Sequence, residues 1–284
     1  MYDEEQLQGF YKGRFESMTK ESFEASIGVT TFVFLFITRT YSVSVLDLFI
    51  TLYFLKNYPI FQAFHWIFDL DESTCSKLIW RTINLLDTRI PKLELEFRLQ
   101  NRERCQGLFE DIMLVVDGTE RPIERPEDDE NQRDFYSGKK KTHTVKNQII
   151  VDIFRGFILD FTPAITGCTH DSTIFKCWLH DNSYRLLPSE IILADKGYQG
   201  NIRIFSPFKD TTDTVEQEIN FRINKVRVIV ENSIGRLKKF RAVKEEWRHE
   251  LGHLNEVFSV CCKLTNMDIQ DRPLRRHLHP LLFE

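Results

Sequence analysis

The sequence lacks several features that mark common classes of protein. None of its six cysteines forms a C-x-x-C pair, which argues against a structural zinc site. No Gly-rich P-loop signature is present, which disfavours a nucleotide hydrolase. The apolar run Thr31–Ile37 is far shorter than the roughly 20 residues that span a bilayer, so we interpret it as a buried element. Since we also find no signal peptide or low-complexity tract, we expect a globular protein in a reducing intracellular compartment.

Charge is distributed unevenly along the chain. The 284 residues carry a net charge of −4 with a pI of about 6.1, which as an average argues weakly against a nucleic-acid partner. From Arg222 to Lys244, however, eight Lys or Arg residues accompany a single acid, Glu231. This basic segment keeps nucleic acid among the partners that the sequence allows.

The first ninety residues have the pattern of a helical domain. Leu46–Tyr58 has apolar residues at helical spacing, and Pro59 suits the first turn of a short helix that ends near Phe68. Asp71–Leu86 then begins with good N-cap residues and repeats apolar residues at helical period. This order predicts a helix-turn-helix domain over residues 1–90, with a plain helical bundle as an equally weighted alternative.

The rest of the chain has a mixed pattern. Residues 91–110 are predicted to form a connecting helix, residues 111–270 an α/β domain and residues 271–284 a C-terminal tail. The predicted strands are Ile112–Asp117, Thr142–Asp152, Phe157–Pro163 and Glu190–Ala194, and the predicted helices are Asp171–Leu179 and Val215–Val243. Hairpin strands followed by alternating strand and helix indicate a mixed sheet covered by helices. The RNase H-like fold has this order, as do other α/β folds.

Three acids stand at positions where chemistry is expected. Asp117 and Asp195 each follow a predicted buried strand and each has a glycine within two residues, which allows close approach of a ligand. Glu231 shares a helix face with Arg227 in the basic segment. The alternatives are solvated strand ends and simple charge balance by i, i+4 pairing. Three carboxylates suffice to hold two Mg²⁺ ions, which can drive cleavage of a phosphodiester.

Five blocks of sequence together carry a resemblance to a known family. They are VVDGTERPI (Val115–Ile123), FYSGKKKTHTVKNQIIVD (Phe135–Asp152), THDSTIF (Thr169–Phe175), ILADKGYQG (Ile192–Gly200) and VRVIVENSIGRLKKFR (Val226–Arg241). In this order, they resemble the DDE transposases of the Harbinger-like and related bacterial insertion-sequence group. The resemblance covers about Ile112 to Ile269.

The resemblance implies a fold and a set of site residues. The fold is an RNase H-like mixed sheet flanked by helices, preceded by an all-α helix-turn-helix domain. Asp117, Asp195 and Glu231 correspond to the catalytic, metal-binding triad of the family. Arg227 and Lys238 correspond to its basic DNA-binding motif.

Further residues are expected to contact DNA or to support the site. Arg236 and Lys239 lie in the same basic block. The family's motif often begins with a tyrosine three residues before the arginine, and this chain has Asn224 at that position. Lys140 lies in a lysine run that either contacts DNA or solvates an edge strand. We expect His170 and Asp171 to cap a helix or to support the metal ligands from outside, and not to form a phosphohydrolase metal site.

The resemblance also implies an activity. The expected reaction is Mg²⁺- or Mn²⁺-dependent cleavage at transposon ends, followed by transfer of a 3′-hydroxyl strand into target DNA, with two metal ions. The expected partner is double-stranded DNA, which a homo-oligomer would bind, and no membrane association is expected. The expected location is the cytoplasm and nucleoid of a bacterium or a eukaryotic nucleus. The alternatives are a domesticated DNA-binding relative that does not cut, a stand-alone nuclease, and an N-terminal region that only mediates oligomerisation.

Overall fold

The chain is divided into two compact units. The computed structural model describes residues 18–105 and 109–274, so most of the predicted C-terminal tail lies outside the described residues. The first unit runs to Pro91 and also contains Leu237–Glu245 and His249–Arg272. The second unit contains Lys92–Arg236, Glu246–Arg248 and Pro273–Leu274 among the described residues. The break at Pro91 lies beside the predicted boundary, whereas the first unit also takes in C-terminal residues that the sequence assigned to the catalytic domain. The functional domain scheme itself stays a prediction.

The first unit is built from α-helices. They are α1 (Lys20–Ile27), α2 (Thr31–Tyr41), α3 (Val45–Asn57), α4 (Gln62–Phe68), α5 (Glu72–Arg89) and the C-terminal Leu254–Asp271. Thr19, Thr30, Ser44 and Asp71 each accept a hydrogen bond from a backbone N–H of the helix that follows, which explains where α1, α2, α3 and α5 begin. Among the described helices, no single one has the length and apolar character to cross a membrane, and only the bent pair of α1 and α2 would meet both criteria together.

Aromatic packing fills the core of the first unit. Phe23 contacts Phe34 edge to face with ring centroids 5.1 Å apart, and Phe54 contacts Trp80 in the same manner at 5.7 Å. The C-terminal helix is almost wholly buried, and its Asp268 is fully inaccessible to solvent. Large aromatic surfaces of this kind contribute much of the apolar burial that holds helices together.

The second unit contains a seven-stranded mixed sheet within the described residues. Its strands are β1 (Ile112–Pro122), β2 (Tyr136–Ser137), β3 (Thr142–Asp152), β4 (Ile158–Phe161), β5 (Ile165–Thr166), β6 (Ile191–Leu193) and β7 (Ile204–Phe205). The order is β2-β3-β1-β6-β7, and β4 and β5 also pair with β3. The β1–β3 pair is antiparallel, while β1, β6 and β7 run parallel. This mixed α/β arrangement fits the RNase H-like fold expected from the sequence.

Three α-helices accompany the sheet in the described part of the chain. They are α6 (Asp129–Phe135), α7 (Asp171–Asn182) and α8 (Thr214–Leu237). The C-terminal helix Leu254–Asp271, which belongs to the first unit, is numbered α9. The face of α8 that carries Ile223, Val226 and Val230 is buried, as the helical spacing predicts. Ser233 of α8 donates a hydrogen bond to the backbone oxygen of Gly156 in the β3–β4 turn at 2.7 Å. This bond fixes α8 against the turn of the β3–β4 hairpin.

The structure differs from the sequence expectations in two places. Strand β1 continues to Pro122, because it pairs with β3 as far as Thr144, so Asp117 lies within the strand and not at its end. Residues 118–122 accordingly belong to the strand, and Asp129–Phe135 form a short helix after it. The connecting segment forms a 3₁₀ helix, Leu95–Arg104, whose Arg98 is fully buried and donates to backbone oxygens as well as to Glu190. Tertiary hydrogen bonds therefore decide both conformations.

Candidate active site

Asp117 lies in β1, and Asp195 comes just after the neighbouring parallel strand β6, in a matching register. Val115 of β1 is paired with Leu193 of β6, and each aspartate follows its paired residue by two positions. Side chains two residues apart point to the same side of a sheet, and neighbouring strands lie about 4.8 Å apart. The sheet therefore directs the two carboxylates toward the same region at the carboxyl end of β6.

Each aspartate accepts a hydrogen bond from the backbone of a nearby glycine. Oδ1 of Asp117 accepts from the N–H of Gly118 at 2.8 Å, and Oδ1 of Asp195 accepts from the N–H of Gly197 at 2.8 Å. Both side chains are partly buried. These bonds hold one oxygen of each carboxylate and orient the group.

Burial raises the pKa of Asp117 to about 6, from an ordinary value of 3.8. The negative charges of Asp195 and Asp171 raise this pKa further, whereas the Gly118 N–H and the Arg227 guanidinium lower it. The two neighbouring carboxylates thus repel the ionised form of Asp117, in addition to the effect of burial. A bound cation would relieve this repulsion, because it favours the ionised carboxylate.

Asp171 supplies a third carboxylate close to Asp117. A Cβ atom added to Gly118 would lie 3.3 Å from Oδ1 of Asp171, which shows how closely that carboxylate approaches β1. Nζ of Lys146 lies 3.4 Å from Oδ1 of Asp171 and 3.8 Å from Oε1 of Glu120. The buried lysine thus partly neutralises the acidic cluster from the β3 side.

His170, and not Asp171, occupies the N-cap position of α7. Its side chain is exposed and forms no capping hydrogen bond, while Asp171 is the first residue of the helix. The expectation that Asp171 caps the helix was therefore wrong, because its carboxylate is turned toward Gly118. Support of the metal ligands from outside stays a prediction for both residues.

Helix α8 carries the third predicted acid. Arg227 is close enough to Asp117 to lower the pKa of that carboxyl, and its buried Nε has no hydrogen-bond partner among the described residues. Glu231 follows one helical turn later and is exposed to solvent. Within residues 18–105 and 109–274, no three His, Cys, Asp or Glu side chains form a group that could hold a metal ion. The structure brings Asp117 and Asp195 together and does not bring Glu231 into contact with them.

The donor chemistry of the aspartate pair fits a hard divalent cation. Carboxylate oxygens are the ligands that Mg²⁺ prefers, and this ion commonly binds through one or two carboxylates while it keeps several waters. The raised pKa of Asp117 comes chiefly from burial, and the neighbouring carboxylates of Asp195 and Asp171 add to it. Asp117 and Asp195 therefore suit a metal site, and participation of Glu231 stays a prediction.

Both aspartates of the acidic pair lie within a segment that matches a known family. Residues 116–266 match the family described as DDE superfamily endonuclease, and this match covers more than half of the 284 residues. The chain belongs to this family. Endonucleases of the family use divalent metal ions, in agreement with the cation chemistry of the aspartate pair. The resemblance to DDE enzymes is thus confirmed, while its Harbinger-like detail stays a prediction.

One relative carries a more specific description. The "Probable transposase for insertion sequence element IS702" of Microchaete diplosiphon is 28% identical over 189 residues, which is 63% of this chain and 64% of the relative. The chain therefore spans less than two thirds of that relative's length. No solved structure matches the chain.

The basic residues predicted to bind DNA lie in different surroundings in this DDE endonuclease. Lys140 is exposed in the β2–β3 turn, and Arg236 lies at the end of α8, followed by Lys238. Nζ of Lys239 instead lies 2.6 Å from Oδ2 of the buried Asp268, so this ammonium stabilises the helical unit. DNA contact stays a prediction for all of these residues, and Lys239 has a structural partner that the sequence did not reveal.

Sequence reasoning missed the polar side chains around the acidic pair. Lys146, Gln148 and Tyr198 are all buried within the second unit beside Gly118 or Asp171. Gln148 and Lys146 point to one side of β3 at alternate positions, and Tyr198 lies three residues after Asp195. The signal in the sequence was the run of polar residues Lys146–Gln148 inside a predicted strand, because polar groups that become buried need hydrogen-bond partners.

Proposed function

We propose that this DDE endonuclease is a transposase that cuts DNA at the ends of a mobile element and joins the freed strands to target DNA. The observation that carries the proposal is the matching register of Asp117 in β1 and Asp195 just after the parallel strand β6. It is supported by the description of the insertion-sequence relative, 28% identical over 189 residues. Family membership supports the cleavage step, and the relative supports the joining step.

Asp117, Asp195 and Glu231 would together hold divalent metal, with Mg²⁺ preferred, Mn²⁺ accepted and two ions in the working site. The metal would activate water or a 3′-hydroxyl and stabilise the charge on the leaving oxygen. Arg227 favours the ionised form of Asp117, which is the form that binds a cation. Glu231 would contribute from α8, one turn beyond Arg227.

Basic side chains would hold the DNA backbone near the acids. Arg227 has a buried Nε that lacks a hydrogen-bond acceptor among the described residues, and a phosphate oxygen would supply one. Lys140, Arg236 and Lys238 would add further contacts with phosphate, which carry affinity but no sequence information. Lys239 would not contribute to this surface, because its ammonium is paired with the carboxylate of Asp268. His170 and Asp171 would support the metal ligands.

The N-terminal helices would recognise the ends of the element. A short helix, α4, precedes α5, and α5 exposes Thr74, Lys77 and Arg81 at successive turns. This is the order expected of a helix-turn-helix domain within residues 1–90. Lys77→Ala should weaken binding to end-containing duplex in gel-shift assays and reduce the salt dependence by about one phosphate contact. Equal affinity of this variant and wild type at every salt concentration would reject this role for α5.

The remaining expectations concern assembly and location. Joining two ends requires two active sites on one DNA complex, which supports a homo-oligomer. The stacked rings of Phe32 and Phe36 on α2, 65% and 42% exposed, are apolar surface of the kind that forms protein contacts. The substrate would be the cell's DNA, in the nucleoid of a bacterium or the nucleus of a eukaryote.

The proposal is tested by cleavage of a duplex that carries the inverted repeats flanking the gene. We expect Mg²⁺-dependent nicking by wild type. Asp117→Asn, Asp195→Asn and Glu231→Gln should each lower the rate by more than about 100-fold, since even outer partners of metal ligands contribute roughly 10–100-fold. Glu216→Gln, on the same helix as Glu231, is the matched control and should cut normally.

The products separate the alternatives. Strand-transfer products with a target plasmid would support transposition. Nicking without strand transfer would instead indicate a stand-alone nuclease. Specific DNA binding without nicking in Mg²⁺ or Mn²⁺ would indicate a relative that binds but does not cut. If Glu231→Gln cuts as fast as Glu216→Gln, the assignment of the third acid is wrong.

A further inference from the structure

Tyr198 is buried in an otherwise exposed segment. Its neighbours Lys196, Gly197 and Gln199 are exposed, whereas the Tyr198 side chain has no accessible surface. The ring packs edge to face against Phe175 of α7, with centroids 6.1 Å apart. The segment after Asp195 is therefore anchored by one inward-pointing side chain.

The Tyr198 hydroxyl lies over β1 beside Asp117. A Cβ atom added to Gly118 would lie 3.7 Å from this hydroxyl oxygen. The hydroxyl accepts a hydrogen bond from Nε2 of Gln148 at 2.9 Å, and Gln148 is paired with Gly118 across the β1–β3 ladder. One side chain from the segment of Asp195 thus reaches over the strand of Asp117 to the next strand.

Gln148 also ties this bond to α7. The same Nε2 donates to the backbone oxygen of Asp171 at 3.3 Å. Asn201 makes a parallel connection, since its Nδ2 donates to the backbone oxygen of Tyr198 at 2.6 Å and to Oγ of Ser172 at 2.9 Å. The segment after Asp195 is consequently fixed to β3 and to the first turn of α7.

These contacts matter because the two aspartates belong to different strands. Asp195 follows the three-residue strand β6, and its own carboxylate bond is to Gly197 in the same segment. Metal ligands must be held within about half an ångström to work together, and the groups behind them provide this order. The Tyr198–Gln148 bond supplies a direct link between the two halves of the pair.

We propose that Tyr198 and Gln148 are positioning residues that set the spacing of Asp117 and Asp195 for metal. This inference rests on the proposed metal site and adds the residues that hold it in register. It also explains Gly118, because a side chain there would crowd the carboxylate of Asp171 and lie against the Tyr198 hydroxyl.

The test is Mn²⁺ affinity of the full chain without DNA, measured by electron paramagnetic resonance. Tyr198→Phe removes only the hydroxyl and keeps the ring against Phe175. Gln148→Met removes the donor and keeps a similar volume. We expect each variant to bind Mn²⁺ roughly 10–100-fold more weakly. Because both remove the same bond, the double variant should lose little more than either single one.

Tyr184→Phe, at a tyrosine that is 83% exposed, is the matched control and should bind Mn²⁺ as wild type does. Thermal midpoints in chelator separate positioning from stability, since a purely structural role would lower the midpoint and leave the Mn²⁺ affinity of the folded protein unchanged. That result in both variants would overturn the positioning role while the metal site stands. Wild-type protein that binds no Mn²⁺ would overturn the metal site and this inference with it.

Discussion

Replacement of Asp117 by Asn should stabilise the metal-free protein, and more so as the pH rises. The folded protein raises the pKa of this carboxyl from 3.8 to about 6, chiefly by burial. The folded state therefore holds the proton more tightly than the unfolded state does. The resulting stability is fully present below pH 3.8 and is lost as the pH rises through 6. Asn carries no such proton.

The size of the effect follows from the difference between the two pKa values. At roughly 1.4 kcal/mol per pH unit, the difference corresponds to about 3 kcal/mol once Asp117 is ionised in both states. A small part of this loss of wild-type stability is already present at pH 4. The stability advantage of Asp117→Asn over wild type should therefore grow by about 2–3 kcal/mol between pH 4 and pH 8. For a chain of this size, such a change moves the thermal midpoint by at least about 5 °C.

The measurement is calorimetry of both proteins in chelator across this pH range. Asp129→Asn, at an exposed position of α6, is the control and should follow wild type throughout. In an Asp195→Asn background the gain should shrink, because Asp195 contributes to the raised pKa of Asp117. Parallel stability profiles of wild type and Asp117→Asn would refute the reasoning, since they would show that Asp117 titrates normally in the fold.

Three further substitutions probe contacts outside the acidic pair. Arg98→Leu leaves Glu190 buried without its bidentate partner and should lower the free energy of unfolding by about 3–5 kcal/mol, measured by urea denaturation. Gly156→Val places a side chain at a positive φ of 79° against Ser233, so it should lower the thermal midpoint and slow nicking by displacing α8. Lys239→Met removes a partner of Asp268 and should lower stability by about 1–3 kcal/mol, while the salt dependence of DNA binding stays unchanged.

The sequence predicted elements whose pattern is local. Thr142–Asp152 was predicted as a strand and has those bounds in the structure, because it ends in the β-branched run Ile149–Val151 and the turn after it is marked by Gly156. Helix α5 begins after the predicted cap Asp71, whose carboxylate accepts from the N–H of Thr74 at 2.9 Å. The mixed sheet followed from the order of such elements.

The rest depends on contacts between distant parts of the chain. The length of β1 is set by pairing with β3, and the 3₁₀ helix Leu95–Arg104 is set by the bonds of Arg98. In the site, the sequence indicated Asp117 and Asp195 as candidates, and the register of β1 and β6 then directs both toward the same region. It gave no indication that Tyr198 turns inward, since a lone aromatic residue between exposed neighbours has no periodic pattern.

The inclusion of α9 in the first unit has a consequence for how the protein is made. Helices α1 to α5 leave the ribosome long before Leu254–Asp271, yet that last helix is buried throughout most of its length. The apolar surface of the early helices that α9 covers therefore stays exposed while the residues of the sheet are translated. At about 5–20 residues per second, this takes several seconds or more. Shortened products that stop before residue 254 would never cover this surface, and cellular proteases should remove them.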